Sequence, residues 1–193
     1  MKIRSRWIQI LGVLLILVSI GSVLFLNVHE KRMDTKNREV VAQMQELLPA
    51  RKAGSPLDYS QPEMPVLQIA GKDYVCLLEV PGLGVTLPVG NTWQSGLLPV
   101  PVSRFWGSIY DGTLILGGSN REGQFDFCSR LDLGDRLVIV DMQGTEFQCS
   151  VARIDRSSSV DFGVLHDPAY PLTLFVREEY DARYILVRCE WPS

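Results

Sequence analysis

The stretch Leu172 to Arg177, which reads Leu-Thr-Leu-Phe-Val-Arg, decides the fold class of this chain of 193 residues. Its run of apolar and β-branched residues predicts a buried β-strand. A short charged turn follows, and the apolar segment from Arg183 to Trp191 predicts the next strand. The C-terminal part of the chain is therefore predicted to be a β-sheet domain.

Further runs of the same kind lie upstream of this pair. The predicted strands are Tyr74–Val80, Val85–Val89, Thr113–Gly118, Arg136–Val140 and Glu146–Ile154. Residues 90–112 are rich in Gly, Pro and aromatic residues and are predicted to be irregular, with a loop or a short helix. Residues 121–131 are predicted to form a loop with one helical turn, in which Phe125 and Leu131 point inward. About seven short strands with few helices predict a mainly β fold, a closed or partly closed antiparallel barrel.

The N-terminal segment is of a different kind. Trp7 to Val28 is 22 residues without a charge, long enough to span a bilayer as a helix. It is longer than the apolar region of a cleaved signal peptide and lacks a small-x-small cleavage site, which favours an uncleaved signal anchor. Basic residues flank both ends, so the charge bias is nearly neutral. The short N-terminus, residues 1–6, favours a cytoplasmic start and an extracellular domain.

The residues after this span predict a helix and then a linker. Val40, Val41, Met44, Leu47 and Leu48 form one apolar stripe at helical spacing. Residues 29–48 are therefore predicted to be a helical stalk, whose stripe packs on the domain itself, on lipid headgroups or on a partner helix. Residues 49–72 are rich in Pro and Gly and are predicted to be a linker before the domain at residues 73–193.

Composition excludes several functions. The net charge is −3 and no basic cluster lies outside the N-terminus, so nucleic-acid binding is not expected. The four cysteines, Cys76, Cys128, Cys149 and Cys189, show no metal-ligand spacing, and neither a metal nor another cofactor is expected. They are predicted to be small buried apolar residues, with an extracellular disulfide as the alternative.

Five segments in this order resemble the sortase family, the extracellular transpeptidases that attach proteins to Gram-positive cell walls. Glu79 to Leu83 is similar to an early Ile-Pro-x-Leu motif, and the Thr113–Asn120 segment is similar to a strand that ends Gly-His-Asn in the family. Phe125, Leu131 and Gly134-Asp135 are similar to a Phe-x-x-Leu…Gly-Asp pattern, and Leu172–Arg177 is similar to Leu-Thr-Leu-x-Thr-Cys. The Asp181-Ala182-Arg183 run adds the arginine of the next strand. The resemblance covers residues 73–191 and implies a sortase-like β-barrel, without assigning a class.

Two of the three catalytic groups that the resemblance implies are absent. The histidine position holds Ser119, and the cysteine position holds Arg177 or lies in a short deletion, so only Arg183 is retained. A guanidinium stays protonated and can be neither nucleophile nor base. Ser119 has no evident histidine partner, and an unassisted serine is a weak nucleophile.

The resemblance also implies a peptide groove beside these positions. Its candidate residues are Asn120, His166, Thr173, Val176 and Asp181. His166, one of only two histidines, is either a groove residue or a loop residue bonded to backbone. The charged turn between Arg177 and Arg183 is either a solvated turn with a local ion pair or a groove end that binds a peptide carboxylate or an acidic side chain.

Three functions are consistent with these residues, and the enzymatic activity stays open. The favoured hypothesis is a membrane-anchored sortase-like domain without transpeptidase activity. Such a domain binds a peptide or a cell-surface protein in the groove, or regulates an active sortase. The second is an active cysteine transpeptidase with a rearranged site. The third is a structural surface domain.

Overall fold

The structure is a computed structural model, and it describes residues 15–20, 35–55, 63–94, 101–178 and 183–192. Within these ranges the chain is mainly β, with helices at residues 15–20, at 35–47 (α1) and at Phe162–Leu165 (α2). The strands are β1 Lys52–Ala53, β2 Leu67–Ile69, β3 Lys72–Val80, β4 Val85–Gly90, β5 Ser103–Trp106, β6 Leu114–Ser119, β7 Arg136–Asp141, β8 Thr145–Ser157, β9 Leu172–Arg177 and β10 Tyr184–Glu190. Single 3-10 turns lie at Pro81–Leu83 and Asp126–Arg130.

Eight of these strands close a barrel in the order β3-β4-β5-β6-β9-β10-β8-β7, with β7 pairing back to β3. The short strands β1 and β2 extend it beside β8 and β3. The predicted barrel is confirmed, but its strands are not all antiparallel. β4 pairs with β5, and β6 with β9, in parallel. Residues 91–102 and 120–171 separate these strands, which gives the long crossovers that parallel pairing requires.

Alternation along the strands separates an inner from an outer face. Leu114 and Leu116 of β6, and Leu172, Leu174 and Val176 of β9, point into the barrel and join its main core. The residues between them, such as Ile115 and Phe175, point outward into a second apolar cluster. Because side chains alternate with a period of two, the register of these strands fixes which residues can form a site on the outer surface.

α1 packs on the outside of the barrel along its apolar stripe. Val40 and Met44 are 6% and 0% exposed and lie against Leu77, Val138 and Val140. Of the three places in which the stripe could pack, the structure therefore has it on the domain itself.

Two short strands form within the segment predicted as a linker. β1 is held by the backbone bonds Lys52 N to Gly144 O, 3.0 Å, and Gly54 N to Glu146 O, 2.8 Å. Arg51 adds ion pairs to Glu79 and Glu146 at 2.7 and 2.9 Å. Strands of two or three residues show no periodicity, so the sequence pattern gave no signal for them.

Most of the segment predicted to span a membrane, residues 7–28, lies outside the described residues. In the ranges that the structure does describe, no helix has the length and apolarity that a membrane span needs.

Candidate functional site

The ends of three neighbouring strands bring the predicted catalytic positions together. Ser119, the last residue of β6, is the register partner of Arg177, the last residue of β9. Arg177 in turn lies opposite Tyr184, the first residue of β10. The backbone N–H of Glu178 donates to Arg183 O at 2.9 Å and closes the turn. Positions far apart in sequence are therefore adjacent at one end of the barrel.

Arg177 lies on the outer side of β9, because its inward neighbour Val176 is fully buried. Its side chain is exposed and makes no hydrogen bond or ion pair with any described residue. The neighbouring Glu178 carboxylate pairs instead with Arg156, at 3.6 Å. A permanently charged guanidinium therefore stands exposed at this strand end.

Ser119 is half-buried and begins a tight turn. Its backbone N–H donates to Gln124 Oε1 at 3.3 Å, and its carbonyl accepts from Arg121 N and Phe125 N at 2.9 and 3.1 Å. Asn120, half-buried, follows it directly. These bonds fix the backbone of Ser119.

Aromatic rings cover the outer face of the sheet next to Ser119. Trp93, Phe105 and Phe175 have ring centroids 5.1 to 6.0 Å apart. Gly117 lies beneath them, where a Cβ atom would overlap the rings of Phe175 and Trp93. This cluster was not predicted, because residues 90–112 show no strand pattern in the sequence. The signal was a glycine at an outward position of an apolar strand.

His166 belongs to a different cluster, at the end of α2. Its ring stacks on Phe162 at 5.1 Å and meets Trp106 edge-on, also at 5.1 Å. Asp161 caps this short helix by accepting from Val164 N at 3.1 Å.

Arg188 was not among the predicted site residues, yet it organises the segment that carries His166. It is only 9% exposed on the outer side of β10. Its Nη2 donates to Val164 O at 2.7 Å, and its Nε lies 3.4 Å from Asp155 Oδ2. Its guanidinium also lies over the ring of Tyr170, 5.6 Å from the centroid. The signal was a single arginine among the apolar residues of β10.

The remaining groove candidates do not lie on an open surface. Val176 points into the barrel interior, because it alternates with the outward-facing Phe175 and Arg177. Thr173 faces outward but is only 1% exposed, in register with Arg188. Asp181 lies outside the described residues.

All four cysteines are free and buried in the barrel core. Burial raises the pKa of the Cys149 thiol to about 12. It raises the pKa values of Cys76, Cys128 and Cys189 as well, and for Cys189 the nearby Cys149 and Cys128 add to the effect. A nucleophilic cysteine needs an accessible thiolate, so none of these thiols is suited to attack a peptide. Within the described ranges no group of three or more His, Cys, Asp and Glu side chains is placed to hold a metal ion.

No family model matches this chain, and no curated protein matches it. Solved structures do. Sortase A from Corynebacterium diphtheriae, a lid mutant, has 18% identity and a TM-score of 0.55 over 64% of this chain and 73% of that one. Sortase E1 from Streptomyces coelicolor, with a tripeptide in the active site, has 20% identity and a TM-score of 0.53 over 62% and 88%. Sortase C from Clostridium perfringens, with the C-terminal cell wall sorting motif, has 17% identity and a TM-score of 0.52 over 63% and 72%. The fold of this chain is therefore sortase-like, as its sequence motifs predicted.

Proposed function

We propose that this chain is a membrane-anchored, extracellular sortase-like domain that binds a peptide or partner protein beside Arg177 and has no transpeptidase activity. The observation that carries the proposal is the pairing of Ser119 with Arg177 at adjacent strand ends, where the resemblance implies a histidine and a cysteine.

The chemistry of transpeptidation supports this proposal. The reaction needs a thiolate to attack an amide and an acid to protonate the leaving amine. Arg177 supplies neither group, because its guanidinium does not lose its proton. The imidazole of His166 contacts Phe162 and Trp106. The chain's own thiols lie inside the barrel.

The site is better suited to binding. An exposed guanidinium offers five N–H donors in a planar fork that matches a carboxylate. Arg183 adds a second positive charge across the turn. The ligand that this arrangement favours is a peptide with a free C-terminal carboxylate or an acidic side chain. Two of the similar structures contain peptide ligands, a tripeptide and a sorting motif.

The uncharged segment at residues 7–28 supports a single membrane span, with the domain on the outer surface. In that setting the partner is a cell-surface protein, including an active sortase whose peptide this domain holds or competes for.

Binding and cleavage can be separated in one experiment. The full-length chain in detergent is mixed with fluorescent sorting-signal peptides that end in either a free carboxylate or an amide. Anisotropy measures binding, and mass spectrometry detects cleavage and thioacyl adducts. We expect saturable binding, weaker for the amidated peptide, and no cleavage.

A matched pair of variants assigns the binding to the site. Arg177→Ala removes the exposed guanidinium, whereas Arg136→Ala removes one at the exposed start of β7. We expect about tenfold weaker binding for the first, the loss of one charge-assisted pair, and no change for the second. Thiol-dependent cleavage that a single cysteine substitution abolishes would overturn the proposal.

A further inference from the structure

A cavity of about 320 Å³ opens between the start of α1, the β2–β3 hairpin and the facing ends of β4 and β5. Its volume lies at the low end of the range of ligand pockets, roughly 300 to 1,000 Å³. We infer that this cavity is a second binding site, for a small ligand that carries an oxyanion, either a carboxylate or a phosphate.

The charged residues around the cavity favour an anion. Lys36 of α1 and Lys72 of β3 both line it, and Asp73 is the one acidic residue among its described lining. The carboxylate of Asp73 is already engaged, since its Oδ1 accepts from Gln68 Nε2 at 3.1 Å. A ligand in the cavity therefore meets an excess of positive charge.

Gln124 provides the most specific evidence. It lines the cavity and is only 2% exposed. Its Oε1 accepts from Ser119 N, whereas its Nε2 donates to no described residue. Since this nitrogen is not sealed from solvent, it is free to donate to a ligand that enters the cavity. An oxyanion in the cavity would supply the acceptor.

Tyr74 supplies a second donor. It is 8% exposed and lines the same cavity. Its hydroxyl makes no hydrogen bond to any described residue. Burial raises the pKa of this hydroxyl above its ordinary value, so it stays protonated and can donate. Two donors from separate segments of the chain and two lysines thus line one cavity.

The cavity is also linked to the strand end that carries Ser119. The Oε1 atom of Gln124 accepts from Ser119 N, and the same side chain lines the cavity. A ligand that accepts from Nε2 is therefore expected to change the environment of the Ser119 amide.

The test titrates the full-length, ¹⁵N-labelled chain with inorganic phosphate and, separately, with acetate, with chloride keeping the ionic strength constant. NMR follows the side-chain amide of Gln124 and the backbone amide of Ser119. We expect both signals to shift saturably. Saturation by phosphate alone, by acetate alone or by both supports the site and identifies the oxyanion that it takes. No saturable shift with either anion would overturn the inference.

Three variants remove one group each. Gln124→Glu keeps an acceptor for Ser119 N but replaces the donor by an oxygen, Tyr74→Phe removes only the hydroxyl, and Lys72→Met removes one charge. We expect each to raise the dissociation constant about tenfold, the effect of one charge-assisted hydrogen bond. Tyr74→Phe and Lys72→Met keep the test decisive if the buried carboxylate that Gln124→Glu introduces unfolds the chain.

Two controls distinguish binding in this cavity from nonspecific binding to positive charge and from binding beside Arg177. Lys52→Met removes an exposed lysine of β1, which does not line the cavity. An equal loss of binding in Lys52→Met and Lys72→Met would overturn the inference. The inference does not rest on the proposed function, and Arg177→Ala is expected to leave the phosphate titration unchanged.

Discussion

Each cysteine of this chain is less than 3% exposed and lies in the main core of the barrel. A raised pKa keeps each thiol protonated at neutral pH, and the barrel wall keeps reagents away. Burial therefore indicates a structural role for these cysteines rather than a catalytic one.

The thiols are therefore expected to be unreactive in the folded chain. At about pH 8, where an ordinary thiol with a pKa of about 8.5 reacts readily, a disulfide reagent such as dithiobis(nitrobenzoate) should label none of the four within minutes. All four should react once urea unfolds the chain. Absorbance of the released thiolate measures the labelling of the native chain and of the unfolded chain. Rapid labelling of one thiol in the native state would show an accessible nucleophile and contradict the structure.

Tyr110 and Asp141 form a buried polar pair that should matter for stability. The Tyr110 hydroxyl donates to Asp141 Oδ2 at 2.6 Å, while Oδ1 accepts from Gln143 N and Thr145 N, both at 2.8 Å. Tyr110→Phe leaves a buried carboxylate oxygen without this donor, so we expect it to lower the free energy of unfolding by about 1 to 3 kcal/mol. Urea unfolding measures the change. The control Tyr170→Phe alters a half-buried tyrosine and should change little.

The helix α1 is held against the barrel by its apolar stripe. Met44 is fully buried, whereas Leu47 is 62% exposed on the same helix. Met44→Ala should lower the free energy of unfolding by about 2 to 5 kcal/mol, because it leaves a cavity against the sheet. Leu47→Ala should change it by less than about 0.5 kcal/mol. Equal effects in denaturant titrations would mean that the helix does not pack on the barrel in solution.

The β8–β9 connection, residues 158–171, is held against the barrel by Arg188. Arg188→Ala removes the bond to Val164 O and the contacts to Asp155 and Tyr170. We expect faster amide hydrogen exchange at residues 162–166, while β6 and β9 exchange as before. Arg188→Lys keeps the charge but not the planar guanidinium, so its exchange rates at these residues should lie between those of Arg188→Ala and of the unchanged chain. Unchanged exchange at α2 in Arg188→Ala would contradict the anchoring role.

The elements also show what the sequence could and could not predict. The long strands were predicted because their apolar residues persist over a whole strand, as in β9. β5 was missed because its four residues, Ser103–Trp106, lie among Pro, Gly and aromatic residues. The pairing of Ser119 with Arg177 followed from the resemblance. The roles of Trp93, Gln124 and Arg188 did not, because they depend on contacts between distant segments that no local pattern encodes.

For the molecule as a whole, the barrel and α1 form one folding unit. A chain that begins at residue 35 keeps Val40 and Met44 on the sheet, whereas one that begins at residue 51 exposes Leu77, Val138 and Val140. We expect the shorter chain to lose about 3 to 6 kcal/mol of stability, since each buried apolar side chain contributes about 1.5 to 3 kcal/mol. Thermal and urea unfolding of the two chains compare them. Equal stability would show that the barrel does not need α1.

The short strands at the ends of the sheet have a consequence for contacts between copies of this chain. In the described part of the chain the strands at the two ends of the sheet order, β1 and β2, have only two and three residues. Open sheet edges are where neighbouring molecules add strands to one another, and short edges give such growth little to build on. Copies of the chain brought close together should therefore not associate by adding strands at β1 or β2.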